Sequence, residues 1–109
     1  MVAKTQHSLI LKPAMLDIDP IVIARQPTLT SAIILCQQLS GLDDKEITGR
    51  NGIVKDQAQW SRIKSGKHYF PQDKLNLFQD LCGNEAPLLW LNHSRGYQAV
   101  PLETETQRL

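Results

Sequence analysis

From Thr30 onward the apolar residues recur three and four positions apart, and the pattern is cut by glycine at Gly41, between Gly49 and Gly52, and at Gly66, Gly83 and Gly96. That spacing belongs to helices with one buried stripe, and a glycine at the end of such a stripe stops the helix because it takes the left-handed conformation without a Cβ clash. The chain beyond residue 30 therefore reads as short helices around one core. Ile33, Ile34, Cys36, Gln37 and Leu39 form the stripe of a first helix that begins at Thr30 and stops at Ser40-Gly41. Leu42-Asp43-Asp44 supplies caps for a short second helix, Lys45-Glu46-Ile47, with Asn51-Gly52 as the turn that follows.

Asp56 with Gln59 three residues later is a capping-box pattern, so a third helix runs from Gln57 to Ser65-Gly66. Pro71 suits the first turn of a fourth, whose Leu75, Phe78, Leu81 and Cys82 face inward before Gly83 closes it. Asn84 caps a fifth, Glu85 to Ser94, with Leu88, Leu89, Trp90 and Leu91 apolar and Pro87 tolerated in the first turn. The expected fold class is all-α, with five helices in one domain over residues 30–96. Residues 1–29 carry Pro13, Pro20 and Pro27, which break helical continuity, and they read as an extended arm. Within it Ser8 to Leu11 and Ile21 to Ala24 are short strands or segments lying on the core. Residues 97–109 form a short tail, in which Tyr97 to Leu102 is a candidate strand.

Composition narrows the function classes. With 109 residues, 41% apolar and 21% charged, the chain supports one domain with a modest core and is not a disordered or low-complexity sequence. No apolar run approaches the length of a membrane span, and Met1 to His7 lacks a signal core, so a cytoplasmic protein is expected. Cys36 and Cys82 sit in apolar stripes without ligand spacing and read as buried free thiols. His7, His68 and His93 are far apart and have no nucleophile motif around them. Asp43, Asp44 and Glu46 at a helix start are caps and dipole partners before they are a metal or acid–base cluster. No enzyme, cofactor, metal or small-molecule substrate is expected.

The net charge is only +1, yet Arg50 to Tyr69 holds Arg50, Lys55, Arg62, Lys64 and Lys67 against Asp56 alone. At about 100° per residue the third helix places Trp60 and Ile63 on one face and Ala58, Ser61, Arg62 and Ser65 on the other. Trp60, paired with Ile63, is a core residue and not a base-stacking one. The outward face is small and polar with one arginine. Small side chains allow close approach to the major groove, Arg forks onto guanine and Gln onto adenine, and Gln57 lies in the first turn for that purpose. The candidate base-reading residues are Gln57, Ala58, Ser61 and Arg62. Lys55, Gln59, Lys64, Lys67, His68 and Tyr69 flank them as candidate phosphate contacts. A merely solvated polar face has the same composition, and the order of the elements separates the two readings.

The segment Asp43 to Phe70, followed by Leu75 to Gly83, resembles the Cro/repressor-type, or lambda-repressor-like, helix-turn-helix of bacterial and phage regulators. The stretch Trp60-Ser61-Arg62-Ile63-Lys64-Ser65-Gly66-Lys67 looks like the end of that family's recognition helix: core residue, variable outward residues, core residue and a Gly-Lys stop. Ser40 to Ile47 and Gly83 to Leu91 are similar to small prophage-encoded proteins. The resemblance implies a five-helix fold and a homodimer bound to double-stranded operator DNA. Its base-reading positions fall on Gln57, Ala58, Ser61 and Arg62, and its phosphate contact at the start of the second helix falls on Lys45, since Asp44 is an acid. The connection Gly49 to Lys55 is longer than the usual turn of the family, which alters the angle between the paired helices. A prophage or bacterial transcription repressor is the expectation. A helix-turn-helix-shaped protein-interaction module, such as an antirepressor, an antitoxin-like partner or a phage accessory protein, is the alternative that the low net charge suggests.

Overall fold

The structure, a computed structural model, describes residues 14–49, 53–100 and 102. The proposed strand at Ser8 to Leu11, His7, the Asn51-Gly52 turn and the last seven residues of the tail lie outside the described residues. Among the described residues six α-helices follow one another: α1 (Pro20–Ala24), α2 (Leu29–Ser40), α3 (Asp44–Ile47), α4 (Gln57–Lys64), α5 (Leu75–Cys82) and α6 (Ala86–Ser94). One 3-10 turn, Gln72–Lys74, leads into α5. Among the described residues there is no strand, only a single parallel bridge between Thr48 and Val54. Tyr97 to Val100 and Leu102 have no regular structure, so the expected strand does not form there. No helix among the described residues is long and apolar enough to cross a membrane.

The expected extended arm contains α1 instead. Pro20 occupies the first helical turn, where a missing N–H costs nothing, and Asp19 Oδ1 accepts from the Ile21 amide at 2.9 Å. The prolines limit this helix to five residues without preventing it. Ile23 is buried, the Trp90 indole of α6 donates to the Gln26 carbonyl at 2.8 Å, and the Leu16 amide donates to the Gly83 carbonyl at 2.8 Å. Residues 14–28 are therefore part of the globule, and six helices lie among the described residues where five were expected.

Thr28 caps α2 by accepting from the Ser31 amide, and α2 then runs through the centre of the molecule against α4, α5 and α6. Its inward residues are Ala32, Ile33, Cys36 and Gln37, while Leu39, expected in the stripe, is exposed. Gly41 and Gly83 end α2 and α5 with φ near +75°, as the glycine stops predict. Leu81 is also exposed, because the inward side of α5 is taken by Phe78, Gln79 and Cys82. Trp60, Phe70 and Phe78 form a triangle with ring centroids 5.1 to 6.2 Å apart in tilted and edge-on geometries, the arrangement that aromatic quadrupoles favour.

Asn84 is fully buried and holds the corner before α6. Its Nδ2 donates to the Cys36 carbonyl at 3.0 Å, its Oδ1 accepts from the Ala86 amide at 3.2 Å, and its own carbonyl accepts from the Cys36 thiol. Gln79 Oε1 accepts from the Leu88 amide at 2.9 Å. Two first-turn amides of α6 are thus satisfied from side chains, although the residue in the formal cap position is Glu85, one beyond Asn84. No buried side-chain nitrogen or oxygen among the described residues lacks a partner.

Candidate nucleic-acid interface

The two helices that fall where the sequence placed its helix pair are α3 and α4. Asp43 and Glu46 form a reciprocal capping box at 3.1 Å in each direction, which explains why a single turn of helix holds at Asp44–Ile47. The chain then extends, and the Gly49 amide donates to the Val54 carbonyl at 3.0 Å. Ile47, Ile53 and Val54 are all buried, so the connection between the helices is anchored to the core at its described ends. Asp56 Oδ1 caps α4 by accepting from the Gln59 amide at 2.8 Å. The Gln59 side chain reaches back to the Lys55 amide at 3.1 Å, one residue earlier than the reciprocal bond of a capping box.

Trp60 and Ile63 anchor α4, with 0% and 1% of their surface exposed. The four residues Gln57, Ala58, Ser61 and Arg62 are all exposed and occupy one outward arc of the helix. Lys55 lies just before this strip and is exposed, and Lys67 and His68 follow it, also exposed, with both of their amides donating to the Arg62 carbonyl. Tyr69 is 97% exposed although it is next to Phe70, which joins the aromatic triangle. Lys45 is exposed on α3. Gln59 is half-buried with its oxygen turned to the backbone.

Lys64 differs from the other basic residues. Its ammonium lies 2.8 Å from Asp44 Oδ1 and 5.6 Å from the centroid of the Trp60 ring. The same carboxylate oxygen accepts from Gln37 Nε2 at 2.9 Å and from the Trp60 indole at 3.0 Å, while Gln37 Oε1 shares the indole proton at 3.1 Å. The hydrogen-bonded Lys64 ammonium, followed by the Gln37 amide, holds the Asp44 carboxyl below its ordinary range. Neither Asp44 nor Gln37 stands out as a partner in the sequence. The one available signal is a glutamine in an apolar helical stripe, which must find a polar neighbour once buried.

The other titratable candidates do not join this surface. Cys36 and Cys82 are buried free cysteines, and the neighbouring Cys82 sulfur together with burial pushes the Cys36 thiol up, away from a reactive thiolate. His93 is exposed in the last turn of α6. Among the described residues no three His, Cys, Asp or Glu side chains are grouped so as to hold a metal ion. No protein-family model, curated protein or solved structure matches the chain.

Proposed function

We propose that the chain is a sequence-specific double-stranded DNA-binding protein, a transcription repressor of phage or bacterial type that works as a homodimer. On this reading α3 and α4 are the two helices of a lambda-repressor-like helix-turn-helix, and α4 is the one that enters the major groove. The observation that carries it is the outward strip of α4: Gln57, Ala58, Ser61 and Arg62 exposed together on a helix fixed from behind by Trp60 and Ile63. Arg62 reads guanine and Gln57 reads adenine, while Ala58 and Ser61 let the helix approach the base edges. Lys45, Lys55, Lys67, His68 and Tyr69 fix the docking through the phosphates. Lys64 and Gln59, engaged by Asp44 and by the Lys55 amide, are left out of that set.

Two copies would place their α4 helices in successive major grooves about one turn apart, and occlusion of a promoter is the expected consequence. The test is binding to duplex DNA from the region upstream of its own coding sequence against a scrambled duplex at two salt concentrations. Preference for the native sequence, with affinity falling steeply at the higher salt, supports the reading. Equal affinity for both sequences removes sequence specificity from it.

A protein-interaction module of helix-turn-helix shape is the second reading, favoured by Leu77 and Leu81, which lie four residues apart on α5 and are 46% and 37% exposed. It predicts a partner that covers α5 and leaves Arg62 dispensable.

A further inference from the structure

A lysine at the margin of a DNA-facing helix ordinarily serves the phosphates, and Lys64 has that position in the backbone. At about 100° per residue it falls about 20° from Gln57 around α4 and two turns further along, at the edge of the outward strip. Its charge is nevertheless paired with Asp44, whose side chain lies at the surface beside it. The hold on it is built from three elements. Asp44 begins α3, Gln37 comes from α2, and Trp60 comes from α4 itself, with the indole fixed in turn against Phe70 and Phe78. For Asp44 to turn away from Lys64, the bonds from Gln37 and Trp60 to the same oxygen must break as well, so the carboxylate is locked where it meets the ammonium.

Resting on the assignment of α4 as the DNA-facing helix, we propose that Asp44 is a positioning residue that limits the electrostatic affinity of that surface for duplex DNA. It binds the Lys64 ammonium internally, withholds it from phosphate, and so limits the part of duplex affinity that ignores sequence. Phosphate neutralisation supplies essentially all non-specific binding, and each phosphate contact adds about 0.9 to the slope of log affinity against log salt.

Four proteins test this: the wild type, Asp44→Asn, Lys64→Gln and the double variant, each titrated with a scrambled duplex over a series of salt concentrations. Asparagine keeps an oxygen for Gln37 and Trp60 and removes the charge that holds Lys64. Circular dichroism confirms that each variant is folded. Asp44→Asn is expected to steepen the salt slope by about one. Lys64→Gln leaves the slope unchanged in the wild-type background and removes about one from it in the Asp44→Asn background, a non-additivity that reports the coupling. The proposal is overturned if Lys64→Gln alone flattens the slope by about one, if Asp44→Asn does not steepen it, or if Lys64→Gln acts equally in both backgrounds. Should Asp44→Asn not fold, the single Lys64→Gln variant decides, with an unchanged slope in favour and a flattened one against. Binding by all four proteins with the wrong slopes removes the proposal alone, whereas no binding by any of them at low salt removes the assignment of α4 as well.

Discussion

The two faces of α4 are made under opposite rules. Trp60 and Ile63 on the inner face are shut off from solvent and tied to residues from α2, α3, Phe70 and α5, whereas Gln57, Ala58, Ser61 and Arg62 on the outer face are exposed. An eight-residue helix does not persist on its own in water, because nucleation is costly and the propagation gain over two turns is small. The inner face and the Asp56 cap therefore give the helix its existence, and the outer face is left without a structural duty. A surface of that kind is open to contacts outside the molecule.

The sharpest way to break this contrast is Trp60→Ala. It removes the largest buried side chain and one donor from the Gln37–Asp44 network, and a loss of about 3 to 5 kcal/mol in unfolding free energy is expected by denaturant titration. Unchanged stability would mean that α4 is not held from its inner face. Asn84→Ala comes next, at about 1 to 3 kcal/mol, since it leaves the buried Cys36 carbonyl and the Ala86 amide without their partner; chemical denaturation reads it, and a neutral result would show that the corner before α6 repacks.

On the outer face the effects move from stability to binding. Arg62→Ala is expected to change unfolding by less than about 0.5 kcal/mol while weakening binding to the preferred duplex by about 1 to 3 kcal/mol and relaxing choice at one base pair. Lys67→Ala should weaken all duplexes alike. Equal losses on every sequence for both variants would take base reading away from Arg62.

The smallest effect sharpens the boundary between the faces. Asp44 is held below its ordinary value of 3.8 by Lys64 first and Gln37 second, so it adds stability that is fully present above that value and is lost as pH falls through the lower folded one. Thermal melts on acidification below pH 3.8 should therefore lose a contribution that Asp44→Asn does not show. Identical acid profiles for the two proteins would mean that the Lys64–Asp44 bond does not persist in solution.

Much of the helical order was legible because it rests on local chemistry. Glycine stops, the Asp56 cap and the three-and-four spacing around Trp60 each act within a few residues, and α2, α4 and α6 lie within a residue or two of where those signals put them. What the sequence concealed depends on contacts between distant residues. Pro20 reads as a breaker until Ile23 is buried in the core and Trp90 reaches across to Gln26; the Asp19 cap beside it is a local signal that the three prolines outweighed. Leu39 and Leu81 fit the apolar spacing but fall at the edge of their stripes, where Gln37 and Gln79 take the interior by finding partners in Trp60, Asp44 and Leu88. In the candidate site the outer strip follows from helix geometry alone. The turn of Lys64 toward Asp44 does not, because it requires residues from three helices to meet.

The central claim, that the outward strip of α4 meets duplex DNA, is tested most directly by amide chemical-shift mapping of the labelled protein titrated with a short duplex. At low salt and roughly 100 μM DNA, where even non-specific complexes are populated, the account predicts shifts concentrated from Lys55 to Tyr69, centred on Gln57, Ser61 and Arg62 and suppressed by added salt. No shifts under those conditions, or shifts centred on Leu77 and Leu81 of α5 instead, would contradict it.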